Sequence, residues 1–212
     1  MRIYGAIGGV PAYLDKWDAA KSFKDNICRL VLTPSGALYG EADAVISAEL
    51  RELSAYSTIL AAIARGENKL NDIFHATGFS RAKISVYLKN LATFNIVEKV
   101  VSFETGGWEN AKKGVYQIKD TFVNFWFKFV YPNMSNLYLL SPEEFYDTYI
   151  EKELDAYLER YFREVCTEYL LILNQMGQLP FTIKRVGTWI GKTGRIAVSY
   201  THLRAHETSQ DL

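Results

Sequence analysis

Arg81, Lys83, Ser85 and Lys89 place three cations and a hydroxyl within a single short stretch that reads as a helix, Arg81 to Phe94. Cations and hydroxyls on one helix are the groups that meet phosphates and base edges when a helix lies in a DNA major groove. Lys112 and Lys113 follow in a glycine-bearing loop, where they would touch phosphates from a second direction. The same loop carries Trp108, Glu104 and Glu109, a composition that does not seek phosphate, so contact with a protein surface stays open as the other use. His202 and His206 stand four apart, the spacing that puts two imidazoles on one helical face for a metal. His75 stands alone on a short helix and reads as structural. No Gly-x4-Gly-Lys-Ser/Thr loop, whose backbone N–H groups would cradle phosphates, occurs in the sequence, so ATP hydrolysis by this chain is not expected.

The apolar spacing supplies the scaffold. Gly8 to Leu14 reads as a turn feeding a short helix, and Phe23, Ile27, Leu30, Val31 and Leu32 recur at helical spacing until Pro34-Ser35-Gly36. Leu38 to Leu53 repeats that pattern. Ser54 or Ser57 is placed to cap a helix burying Ile59, Leu60, Ile63 and Ala64 and closed by Gly66. A second helix, Asn68 to Ala76, leads through Thr77-Gly78-Phe79 to Ser80, which caps the third helix with Ile84, Leu88 and Leu91 inward. Two helices joined by a short glycine-bearing turn, followed by strands at Val97–Phe103 and Val115–Ile118, spell a winged helix-turn-helix over residues 54–118. Phe122 to Phe129 is an aromatic connecting helix, and Ser141-Pro142-Glu143-Glu144 starts a long helical region reaching about Gln175. The fold class expected is mainly α, with an α+β element towards the C-terminus.

Composition narrows the partners. Hydrophobic residues make 49% of the 212 and charged residues 23%, which fits a chain that buries a core. The net charge is zero, so any basic surface is local. Residues 54–118 hold eight Lys and Arg against five Asp and Glu, whereas 1–53 and 119–196 are each slightly acidic. Cys28 and Cys166 lie far apart among apolar neighbours, and no secretory signal is present, so two reduced thiols and a cytoplasmic location are expected. No stretch reads as a membrane span.

Several stretches together resemble a family of P-loop ATPases of the AAA+/STAND-like type, found mainly in archaea and anaerobic bacteria. They are Gly8 to Leu14, Leu38 to Ala42, Glu49 to Glu52, Ile59 to Gly66, Asp120 to Val130 and Phe162 to Cys166. The resemblance implies a helical ATPase lid for 1–53, a winged helix for 54–118, and a truncated restriction-endonuclease-like domain for 119–196. It also implies that Gly8, Gly9 and Pro11 lie near the nucleotide, that ATP and Mg²⁺ belong to the longer relative rather than to this chain, and that the ATPase core is a missing partner. The chain departs from the family at Arg163, where a Glu usually follows Phe162, and no Glu-Ile-Asp follows Trp189-Ile190-Gly191-Lys192. No nuclease metal centre is therefore expected. Ala197 to Thr208 is similar to a translated sequencing adapter, which sets the His202 and His206 pair aside and marks 197–212 as a non-native tail. The function expected is that of a non-catalytic fragment whose winged helix binds double-stranded DNA. The alternative is a regulatory, protein-contacting arm of a switch ATPase.

Overall fold

The computed structural model describes residues 1–48, 50, 52–102, 114–190 and 195–201; for 189–190 and 195–201 it describes the backbone alone. The chain is mainly helical with small antiparallel pairs of strands. One compact unit takes residues 1–100 and 114–161, and a second takes 101–102 and the described residues from 162 onward.

The first unit opens with α1 (Arg2–Ile7), which the apolar spacing did not mark, and Gly8 turns the chain away with φ 69°. Pro11 begins α2 (Pro11–Leu14), where its fixed φ suits a first helical position. Ser22 and Asp25 cap each other's backbone to start α3 (Phe23–Ile27), which widens into a π-helical turn, Cys28–Leu32. A widened turn leaves carbonyls with displaced partners, and Gly36 fills the space beside them. A Cβ at that position would stand 2.5 Å from the Leu30 carbonyl oxygen and 2.6 Å from that of Arg29. The Leu30 oxygen is itself taken by the Leu38 N–H at 2.9 Å.

After α4 (Glu41–Ser47) come α5 (Leu53–Arg65), α6 (Leu70–Thr77) and α7 (Arg81–Thr93). Neither Ser54 nor Ser57 caps α5. The helix starts earlier, at Leu53, because Ala55, Tyr56 and Ser57 already belong to its buried face. Strands β1 (Val97–Val100) and β2 (Val115–Ile118) then pair antiparallel, with Val97 opposite Ile118 and Val100 opposite Val115.

Asp120 caps α8 (Thr121–Phe125), and the expected continuous aromatic helix gives way to a second π-helical turn, Trp126–Val130. The widening re-spaces the rings around the axis, so that Phe125, Trp126, Phe127 and Phe129 are all exposed by 1% or less. Then follow α9 (Met134–Leu137), α10 (Pro142–Tyr149), capped by Ser141 and Glu144, and α11 (Glu151–Gln175). The long helical region is thus broken at Ile150. One core runs through this unit, since α1 packs on α8, α5 on the π turn at 126–130, and α10 on the π turn at 28–32.

Two polar clusters inside this core are internally paired, whereas Trp126 Nε1 is buried without a hydrogen-bond partner among the described residues. Asn26 is fully buried; its amide donates to the Asp18 and Ser22 carbonyls at 2.8 and 3.0 Å. Its oxygen accepts from the Asp18 N–H at 2.9 Å and from Arg29 at 3.1 Å. The Tyr157 hydroxyl lies 3.0 Å from the Gly5 carbonyl, to which it donates, and 3.1 Å from Tyr161, which accepts from Asn124 at 2.8 Å.

Burial also sets how the unit responds to alkali. It pushes the Cys28 thiol up from 9.0 to about 12, and raises Tyr13, Tyr146 and Tyr157 as well. The unfolded chain then sheds protons at a lower pH than the folded chain. The stability Cys28 contributes is whole below pH 9 and is lost as pH climbs through about 12, and the raised tyrosines carry the loss on to higher pH. The urea midpoint should fall steadily across that window, while Cys28 resists alkylation at pH 9 until the chain unfolds.

In the second unit the end of α11 turns at Gly177, φ 66°. The Asn174 side chain grips the Ile183 backbone on both sides, accepting its N–H at 2.6 Å and donating to its carbonyl at 3.1 Å. From there β3 (Ile183–Ile190) pairs antiparallel with β4 (Arg195–Thr201), Trp189 facing Ile196. Residues 197–201, expected to belong to an adapter-like tail, are thus part of a strand.

Candidate nucleic-acid interface

The geometry begins at the turn between α6 and α7. Gly78 adopts φ 69°, a left-handed position that glycine occupies without strain, and ends α6. Ser80 then starts α7 by accepting the Lys83 N–H at 3.2 Å. The helix buries Ile84, Tyr87, Leu88 and Leu91, spaced as one apolar stripe. At about 100° per residue the opposite face carries Ala82, Ser85, Val86, Lys89 and Thr93, and all five are exposed.

Arg81, Lys83, Ser85 and Lys89 are all at the surface, but they divide into two pairs. Arg81 lies against α6: its Nε donates to Asn71 at 2.9 Å and its guanidinium sits 4.2 Å from the Phe74 ring centre. Lys83 rests 4.7 Å from the Phe79 ring and 5.3 Å from that of Tyr87, with Glu52 at 4.0 Å. Ser85 and Lys89 point outward. Lys112 and Lys113 lie outside the described residues.

Glu52 is the residue that sequence reasoning missed here. It accepts a hydrogen bond from the Tyr87 hydroxyl, and that bond, followed by burial and the carboxylate charge, pushes Tyr87 up to about 12. Asn90 donates to the Tyr56 hydroxyl at 2.8 Å, and the Tyr56 and Tyr87 ring centres are 4.4 Å apart. This patch floors a groove of about 580 Å³ lined by Leu50, Tyr56, Val86 and Phe94 among others.

The hairpin stands beside α7, with β1 packed on α7 and β2 on α5. Arg160 of α11 braces its base, donating to the Ile118 carbonyl at 2.8 Å, with Glu98 at 3.8 Å. Gln117 donates to the same Glu98 carboxylate at 2.6 Å. Nothing local to Arg160 signals this role, because Ile118 lies 42 residues upstream and Glu98 farther still.

Gly8 and Gly9 line a separate small pocket of about 230 Å³ together with Asn95, Lys119, Asp120 and Thr121. Pro11 starts the next helix and is not part of the lining. Lys119 donates to Asn95 at 3.2 Å. Among the described residues no cluster of His, Cys, Asp and Glu could hold a metal, and no helix is long and apolar enough to cross a membrane. His75 is exposed and sits edge-on to Phe74, with ring centres 5.1 Å apart.

Comparison with known proteins adds two likenesses. Residues 126–207 match the DUF234 family, described as archaea bacterial proteins of unknown function. The match therefore runs from the second π turn through β4 and beyond. An uncharacterized protein of Methanocaldococcus jannaschii, MJECL04, is 33% identical over 190 residues, which is 89% of this chain and 42% of that protein. The chain thus spans less than half the length of this relative. No solved structure matches significantly.

Proposed function

We propose that residues 54–118 act as a winged helix that binds double-stranded DNA, with α7 in the major groove and the hairpin against the backbone. The observation that carries this reading is the outward face of α7, where Ser85 and Lys89 are exposed, with no side-chain partner among the described residues, beside an antiparallel hairpin. Arg81 and Lys83 flank that face from positions fixed by Phe74 and Phe79, and Lys112 and Lys113 would add phosphate contacts from the hairpin loop. The chain itself is non-catalytic, with ATP and Mg²⁺ bound by the core of a longer relative.

Titrating duplex DNA at low and moderate salt tests the proposal. Affinity should fall linearly on a log–log plot against salt, with a slope near 0.9 per neutralised phosphate. Lys89→Glu should weaken binding and reduce that slope by about 1 or more. Failure to bind even at low salt defeats the proposal.

A second reading draws on Val86, which is 57% exposed in the middle of the same face and borders the groove near Glu52. An aliphatic side chain there suits a protein surface better than phosphate. Under this reading the unit is the regulatory arm of a switch ATPase, with Gly8 and Gly9 near nucleotide. Absence of DNA binding together with altered ATP turnover by a separately made core would favour it.

A further inference from the structure

The outward face of α7 lacks most of the side chains that read bases through paired hydrogen bonds. The one arginine of the helix, Arg81, is held beside α6 by Asn71 and the Phe74 ring. Its one side-chain amide, Asn90, donates to the Tyr56 hydroxyl at 2.8 Å, and the Thr93 hydroxyl donates to the Lys89 carbonyl at 3.0 Å. Ser85 and Lys89 are left for polar contact, and the base-edge acceptors they could meet occur on both kinds of base pair. What distinguishes the face is aliphatic. Ala82 and Val86 stand one turn apart and are both exposed, Val86 by 57%. They lie in the first two turns, the part of a recognition helix that comes against base edges. In the major groove such side chains find one apolar partner, the 5-methyl group of thymine.

We infer that α7 selects its sites by thymine, with Val86 and Ala82 packed on 5-methyl groups. The inference rests on the reading that α7 enters the major groove, and it adds which bases are preferred there. Residues one turn apart are separated by about 6 Å along the helix axis. Successive base pairs are about 3.4 Å apart. The two side chains therefore address thymines at neighbouring positions, one or two pairs apart. The methyl lies on the thymine side of its pair, so the contact also distinguishes T·A from A·T. Phosphate contacts by the lysines would fix the helix on the duplex without favouring a sequence. Discrimination then falls mainly to the two aliphatic side chains, and it is modest, because a methyl contact is worth less than a bidentate hydrogen-bonded pair.

The test begins by selecting duplexes from a random pool with the full 212-residue chain at low salt. Each thymine of a selected duplex is then replaced in turn by deoxyuridine, which keeps the pairing edge and the charge and lacks only the methyl. At one or two positions the replacement should weaken binding about four-fold, the worth of one buried carbon. The salt slope should not change, because no phosphate contact is lost. Val86→Ala should erase the discrimination at one of these positions, with melting unchanged because the side chain is mostly exposed. Lys89→Gln should weaken binding to all of these duplexes and keep the discrimination. Thymine and deoxyuridine duplexes bound alike at every position, or discrimination that survives Val86→Ala throughout, would overturn the inference and leave DNA binding standing. A chain that binds no duplex at low salt overturns the proposed function as well, and turns Val86 over to a protein surface.

Discussion

Gly36→Ala should lower the melting temperature by about 10 °C, corresponding to a loss of about 3 kcal/mol or more in a chain of this size. The new methyl would meet the carbonyl oxygens of Leu30 and Arg29 at 2.5 and 2.6 Å and the Leu30 carbonyl carbon at 2.8 Å. These are backbone atoms at the end of a π-helical turn, so no side-chain rotation relieves the contact. Either the turn after Thr33 moves out, or the Leu30 oxygen loses its bond from the Leu38 N–H. Gly40→Ala is the matched control. Its Cβ would meet nothing within 4 Å, and its φ of −99° suits any residue. Thermal melts of the two variants side by side check the argument, and equal losses would refute it.

The second large effect is expected at Asn26. Replacing it with leucine removes four short hydrogen bonds at once and leaves the Asp18 N–H without its partner, while the Asp18 and Ser22 carbonyls keep only their bonds from the backbone N–H groups of Lys21 and residue 26. At roughly 1 kcal/mol for each bond, and more for each group left buried and unpaired, the loss is about 4 kcal/mol. Asn26→Asp should fall between leucine and the wild type. Its carboxylate still accepts from Asp18 and Arg29 but faces the Asp18 and Ser22 carbonyl oxygens without a proton to share. Urea midpoints at neutral pH order the three proteins.

Asn26 also marks what the sequence made legible and what it did not. It follows Phe23 by three residues and precedes Leu30 by four, so helical spacing alone puts it on the buried stripe. Its amide gives no such signal, because a polar residue ordinarily marks the wet side of a helix. The order of α5, α6, α7, β1 and β2 was readable because the Gly66, Gly78 and Ser80 signals are local and agree with the apolar period. The π turns were not, since the π conformation at Trp126–Val130 comes from fitting several rings into one core, a demand set by distant neighbours. The candidate interface divides along the same line. Exposure of Arg81, Lys83, Ser85 and Lys89 follows from their place opposite or beside the stripe of α7. That Phe74, Phe79 and Glu52 would hold two of the four is a tertiary fact.

The division of the sequence into 1–53, 54–118 and 119–196 has no counterpart in the core, where Ile7, Tyr56, Leu91 and Phe125 belong to one continuous cluster. Cutting the chain at either boundary would bare part of that cluster on both products, so a piece holding only α5 to β2 should melt well below the intact chain.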